Sequence, residues 1–201
     1  MRSLNTGFAE MSALVNDFDF DVFAVSETWL HPGTPSDNYN ITGYTMLRCD
    51  RQASPQPMDE VGGGVAIYIK DGIFHERHTF VENHGPGVET LCVVLRVKGR
   101  RLGVCVAYRP PHVRYSCLAS MFYSLFVDLA VEVNSVIYLG DTNIDLISKN
   151  SYEAIYLRRL LRQSNTIQLI NEPTRVTATS ATLLDHIIVD KSTEVERTGV
   201  I

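Results

Sequence analysis

Residues 135–145, SVIYLGDTNID, run from an apolar segment into a glycine and then three short oxygen-bearing side chains, Asp141, Asn143 and Asp145. A run bounded this way reads as a buried strand, Val136 to Leu139, carried toward one edge of a sheet. The chain just beyond a strand's carboxyl end is where α/β sheets place their chemistry. Gly140 lets the backbone turn sharply, and Asp141 and Asn143, two apart, point the same way while extended geometry persists. A carboxylate beside a neutral amide can bind a hard cation and a phosphate oxygen without adding a second repulsive charge. Asp and Asn are also common turn residues, so the motif alone leaves a capped turn and a chemical site both open. Asp145 reads as a turn residue.

The rest of the chain supplies strands and helices in alternation. Residues 5–17 carry Phe8, Met11, Leu14 and Val15 at helical spacing, with Asn5 or Thr6 as the cap. Asp21–Ser26 (DVFAVS) predicts a buried strand ending at Glu27. Residues 31–61 are loop-rich, with Pro32, Pro35, Pro55 and Pro57, and enclose a candidate strand at Tyr44–Arg48. Gly62–Lys70, Thr90–Val97 and Leu102–Tyr108 predict three more strands, the last two joined by the basic turn Lys98–Arg101. Ser116–Val133 is apolar nearly all round, as expected of a helix packed between layers. Tyr152–Arg162 reads as an amphipathic helix, and Thr166–Ile170 and Leu183–Val189 as strands. Hairpin-length links mixed with helical ones favour a mixed sheet over a doubly wound parallel one. No repeat or internal boundary divides the 201 residues, which read as one domain.

Bulk properties exclude some functions. A hydrophobic fraction of 45% supports a substantial core, and a net charge of −5 offers nucleic acid no global attraction. Any binding to DNA or RNA must use a local basic patch and weaken steeply with salt. Cys49, Cys92, Cys105 and Cys117 form no CxxC pair, which fits free thiols in a reducing intracellular compartment. No apolar run reaches membrane-spanning length, and the first residues do not read as a signal peptide.

Four predicted strands end on, or carry, a polar group in apolar surroundings: Glu27, Tyr108, Asp141 and Asp185. A carboxylate in a buried strand is costly unless paired or metal-bound. Each singly has a structural explanation, as a turn cap, a satisfied core tyrosine or an ion pair. Together they suggest oxygen ligands for Mg²⁺ or Mn²⁺. His31, His75, His78, His84 and His112 are scattered through loops and turns and suggest no zinc site.

SETWL (26–30), GGGVAIYIK (62–70), AYRPP (107–111), YLGDTNIDL (138–146) and TLLDHIIV (182–189) occur in one order. With these motifs the chain resembles the endonuclease/exonuclease/phosphatase superfamily, and specifically the endonuclease domain of non-LTR retrotransposons. The resemblance implies a DNase I-like four-layer α/β sandwich, two mixed β-sheets flanked by helices. It implies a Mg²⁺- or Mn²⁺-dependent endonuclease that hydrolyses a phosphodiester, nicks one strand and leaves a 3′ hydroxyl for target-primed reverse transcription. Glu27 would be the metal ligand. Tyr108 would contact the scissile phosphate, Asp141 would orient or deprotonate the attacking water, and Asn143 would hold that water or a phosphate oxygen. Asp185 would assist the metal or the family's terminal histidine. The partners implied are DNA and a downstream reverse transcriptase domain, with a monomer acting in the nucleus.

The family also carries an asparagine on a first strand and a Ser-Asp-His on a last one, and neither motif is found between Met1 and Ile201. The resemblance therefore implies a domain missing its first and last strands, a retrotransposon-derived fragment weak or inactive alone. His186 does not replace the missing histidine. Strand alternation points it away from Asp185, toward the core. For DNA contacts the candidates are Arg109, Arg51, Arg48 and Arg175, while Lys98–Arg101 reads as a solvated turn. The Thr- and Ser-rich loop 171–181 could reach the minor groove. The competing readings are another phosphodiesterase or phosphatase of the same superfamily, a non-catalytic remnant, and a DNA-binding module that does not cut.

Overall fold

The structure, a computed structural model, describes residues 3–51, 62–82 and 86–200. Pro55, Pro57 and His84 lie outside them. The chain opens with helix α1 (Leu4–Phe18), followed by strands β1 (Val22–Ser26), β2 (Tyr44–Cys49), β3 (Val65–Lys70) and β4 (Phe74–Arg77). After a single turn, α2 (Thr79–Glu82), come β5 (Glu89–Val97) and β6 (Arg100–Tyr108). Helix α3 (Leu118–Tyr123), strand β7 (Ser135–Asp141) and helix α4 (Tyr152–Gln163) follow. The last strands are β8 (Thr166–Gln168), β9 (Arg175–Val176), β10 (Ala181–Thr182) and β11 (Asp185–Asp190).

Alternation along β5 shows how the layers form. Leu91, Val93 and Leu95 face the smaller sheet and pack with Val65, Ile67 and Ile69 of β3. Cys92 and Val94 face the other way, onto Phe122, Leu125 and Leu129 of the crossover and Leu157 of α4. Apolar residues at every position therefore mean a strand covered on both faces. On the far side of the smaller sheet, Leu4, Met11 and Val15 of α1 pack against Val25, Ala66 and Tyr68. The result is four layers: α1, a three-stranded sheet ordered β1-β3-β2, a six-stranded sheet ordered β4-β5-β6-β7-β11-β8, and the α3/α4 layer. Among the described residues only β6 and β7 run parallel, so parallel pairing there is confined to the larger sheet.

Two local expectations are corrected. Helix α1 starts at Leu4 with Ser3 in the capping position, earlier than Asn5 or Thr6, because Leu4 is wholly buried and anchors the first turn. Ser116–Val133 is not one regular helix but runs through a 3₁₀ turn, α3, a π turn (Ser124–Asp128) and a second 3₁₀ turn. This parallel crossover keeps Met121, Phe122, Leu125 and Leu129 buried by changing its pitch. Among the described residues no helix is long and apolar enough to cross a membrane.

Candidate functional site

Strand register lines up the polar strand ends. Glu89 on β5 pairs with Tyr108 on β6, Tyr108 with Asp141 on β7, and Asp141 with Asp185 on β11. Directly opposed residues share a face, so the four side chains form a row across one end of the larger sheet, on the face toward the smaller one. Glu27 enters from that smaller sheet, immediately after β1. Its carboxylate faces the Tyr108 hydroxyl and helps to keep that hydroxyl protonated.

The Glu27 loop is held in an unfavourable shape. Glu27 and Trp29 both have φ of 58°, a conformation that side chains with a Cβ rarely adopt. Glycines make the loop possible: Thr28 N–H donates to the Gly64 carbonyl at 3.1 Å and Trp29 N–H to Gly63 at 2.8 Å. A Cβ on Gly64 would overlap the Thr28 hydroxyl. Glu89 completes the brace, accepting from Gly64 N–H and from Arg51 Nε, each at 2.5 Å. Arg51 in turn lies over the Tyr108 ring, 5.8 Å from its centroid.

The 141–145 segment is built by alternation. Asp141 accepts from Asn143 N–H at 2.6 Å, and Asn143, at φ 51°, donates through Nδ2 to the Arg109 carbonyl at 2.9 Å. Thr142 points back, wholly buried, with its hydroxyl 2.9 Å from His186 Nε2. Ile144 enters the core, and Asp145 accepts from the N–H groups of Ile147 and Leu183, both at 3.0 Å. Asp145 thus ties the turn together, as a turn residue should.

Burial pushes the Asp141 carboxyl up to about 7; the Asn143 N–H opposes that shift, and the negative charges of Asp185 and Glu27 add to it. Burial also raises the Tyr108 hydroxyl, helped by Glu27. His186 is 1% exposed, flanked by Thr142 and by Gln168 at 3.1 Å, and burial pushes its ring down to about 4. It is therefore a neutral core residue behind the 141–145 segment, while Asp185 beside it is exposed.

Two proposed DNA contacts are corrected. Arg109 is 4% exposed, and its guanidinium donates to the carbonyls of Thr142, Pro110, Val113 and Asn143. It clamps the 141–143 turn and has no reach to a phosphate. Arg48 is likewise turned inward, its Nη2 donating to the Thr34 carbonyl at 2.7 Å and pairing with Asp50 at 3.4 Å. Arg51 sits inside the site, paired with Glu89, where it backs Tyr108. Arg175 alone of the four is exposed, on the β9–β10 hairpin. That hairpin is fastened to the site by Thr174, whose hydroxyl accepts from the N–H groups of Leu184 and Asp185, both at 3.1 Å. Sequence reasoning missed Glu89 and Thr142. An acid opening the otherwise apolar run ETLCVVL was the available signal for Glu89.

Charge decides what the site can hold. Glu27, Glu89, Asp141 and Asp185 face two guanidiniums, both already committed. The oxygen-rich excess of negative charge fits a hard divalent cation and would repel a bare phosphate. Among the described residues no three Asp, Glu, His or Cys side chains close on one point. Glu27 with one neighbouring acid could supply the one or two carboxylates that Mg²⁺ takes while keeping waters.

The model of the Endonuclease/Exonuclease/phosphatase family matches residues 2–201. No curated protein sequence matches the chain. Among solved structures, the chain is similar to the endonuclease domain of TRAS1, a telomere-specific non-LTR retrotransposon. That match has a TM-score of 0.69 and 13% identity, covering 92% of this chain and 80% of that one. TDP2 of D. rerio, complexed with single strand DNA product, superposes at TM-score 0.63 and 11% identity over 96% and 80%. An AP endonuclease from Archaeoglobus fulgidus superposes at 0.60 and 13% identity over 94% and 83%. At these identities the likeness establishes the fold.

Proposed function

Because the chain belongs to the endonuclease/exonuclease/phosphatase family, we propose that it is a Mg²⁺- or Mn²⁺-dependent DNA endonuclease of the non-LTR retrotransposon type. It would nick one strand by water attack on a phosphodiester and leave a 3′ hydroxyl. In a full-length element a downstream reverse transcriptase domain would extend that end, and the site of action would be the nucleus. The chain would act as a monomer.

The observation that carries this reading is the row Tyr108–Asp141–Asp185 facing Glu27, with one carboxyl of the group pushed up to about 7. A carboxylate poised near neutrality is suited to accept the proton of an attacking water. Asn143, fixed through its Nδ2, presents its carbonyl oxygen to orient that water. The Tyr108 hydroxyl donates to a phosphate oxygen that gains charge in the transition state. Glu27, assisted by Asp185, would hold the cation, which when bound neutralises the phosphate and the leaving 3′ oxygen. Arg109 and His186 hold the turn so that none of these groups must reorganise.

DNA is favoured over a small phosphomonoester because the row crosses one end of the larger sheet, beside the β9–β10 hairpin that carries the exposed Arg175. The test is substrate choice. Purified protein in Mg²⁺ should convert supercoiled plasmid to the nicked form and leave p-nitrophenyl phosphate and inositol phosphates intact. Turnover of the small esters with no nicking would replace the reading with a phosphatase.

A further inference from the structure

Glu89 carries a donor on each carboxylate oxygen, and the two donors serve opposite halves of the site. Oε2 accepts from Gly64 N–H, just ahead of β3 in the smaller sheet. Oε1 accepts from Arg51 Nε, whose guanidinium lies over the Tyr108 ring of the larger sheet. We propose that Glu89 is a positioning residue, one carboxylate that fixes both the loop aiming Glu27 and the ring of Tyr108. The inference rests on the nuclease reading above. It adds a residue that neither holds the cation nor touches the phosphate.

The smaller-sheet side is the more demanding. Glu27 and Trp29 each sit at φ 58°, and such a conformation persists only where the surroundings over-determine it. Here the 63–64 backbone does so. Thr28 N–H donates to the Gly64 carbonyl, and both Trp29 N–H and the Thr28 hydroxyl donate to the Gly63 carbonyl. Gly63 and Gly64 have φ of 78° and 80°, and glycine adopts other conformations as readily. Their hold must therefore come from outside. The Gly63 carbonyl and the Gly64 N–H belong to one planar peptide unit. Glu89, by binding that N–H on one side, fixes where the carbonyl points on the other.

On the larger-sheet side, Glu89 stands in register with Tyr108 on the neighbouring strand. Arg51 bridges the two, and its guanidinium also packs on Gly63, where a Cβ would overlap it. The Glu89 and Arg51 side chains are only 12% and 17% exposed, so water competes little for their pairing. A carboxylate suits the place because it offers two acceptor oxygens and no donor.

The chain's single tryptophan is Trp29, with its indole against Gly62, so its fluorescence reports the loop without metal or turnover. Glu89→Leu removes both acceptors and keeps an apolar strand residue. In the metal-free variant, Trp29 emission should move to longer wavelength and be quenched more readily by acrylamide, with far-UV circular dichroism unchanged. The Mg²⁺ concentration for half-maximal nicking should rise about ten-fold, and kcat should fall while KM for plasmid holds. Added to Glu27→Gln, Glu89→Leu should raise the Mg²⁺ requirement no further, because both act through one group. Arg51→Lys keeps the charge beside Glu89 but loses the flat face over Tyr108. It should lower kcat about ten-fold with emission and Mg²⁺ requirement like wild type, and it carries the test if Glu89→Leu does not fold. Wild-type emission and Mg²⁺ requirement in folded Glu89→Leu, or a further rise on Glu27→Gln, overturns the positioning role while plasmid nicking keeps the nuclease reading. A wild type that never nicks overturns that reading, and the emission of Glu89→Leu then decides the positioning role alone.

Discussion

At one end of the six-stranded sheet, β5 and β6 join through Lys98 and Gly99, a two-residue turn with φ of 49° and 78° whose charges stand in solvent. At the other end the same strands place Glu89 and Tyr108 side by side, against half-buried acids and a strained loop. Glu27, Trp29 and Asn143 all have positive φ there. The first end needs only to reverse the chain, and an exposed turn does so at little cost. The second retains uncompensated negative charge and backbone strain, which lower stability and persist where chemistry requires them.

The largest expected contrast is in activity. Tyr108→Phe, which removes a transition-state donor, and Asn143→Ala, which removes the group that orients the water, should each slow plasmid nicking about 100- to 1,000-fold. Arg100→Ala, at the opposite end, should change the rate less than about two-fold, since exposed surface substitutions seldom perturb the fold. Comparable losses at both ends would abolish the distinction.

Metal dependence should separate the ends next. EDTA should stop nicking, and Glu27→Gln should raise the Mg²⁺ concentration for half-maximal rate by about 10- to 100-fold, the range seen when a site's anchoring groups are altered. An unchanged Mg²⁺ requirement in Glu27→Gln would remove Glu27 from the metal.

Glycine substitutions compare the ends by stability alone. Gly140 pairs with Ala107 in register, and a Cβ there would overlap the Ala107 carbonyl. Gly140→Ala should cost about 3 kcal/mol or prevent folding. Gly99→Ala meets nothing within 4 Å and strains only φ, so urea melts should show a loss near 1 kcal/mol.

The last comparison is in pH dependence, where two groups oppose each other. Asp141, pushed up to about 7, keeps a proton in the folded chain that the unfolded chain releases from about pH 4 upward. Stability therefore falls as pH rises through that window. His186, pushed down to about 4, is neutral in the folded chain while the unfolded chain binds a proton below about pH 6.5. Stability therefore falls as pH drops from there. Asp141→Asn removes only the first group. The metal-free variant should be more stable than wild type by about 1–3 kcal/mol at pH 8, with the gain vanishing near pH 4. A gain independent of pH would contradict the buried charge at Asp141.

The strands at 65–70, 89–97, 100–108 and 135–141 were legible because both faces of each are covered, which leaves unbroken apolar runs. The bends of the crossover were not, since a segment apolar all round carries no period to mark a change of pitch. Asp141 and Asn143 were legible from a local pattern, and Glu27 and Asp185 from polar groups in apolar strands. The row itself was not, because β7 meets β11 only through non-local pairing. Arg109 misled for the same reason. Beside Tyr108 it resembles a phosphate contact, yet two of the four carbonyls that claim it belong to Thr142 and Asn143, distant in sequence.

The most direct measurement is nicking of supercoiled plasmid in Mg²⁺ by the purified chain, with Asp141→Ala and Glu27→Ala alongside, each first shown to be folded. Nicking by the wild type that EDTA stops and both variants lose is the predicted result. Nicking that survives in either variant, or a folded wild type that never cuts, would contradict the site at this end of the sheet.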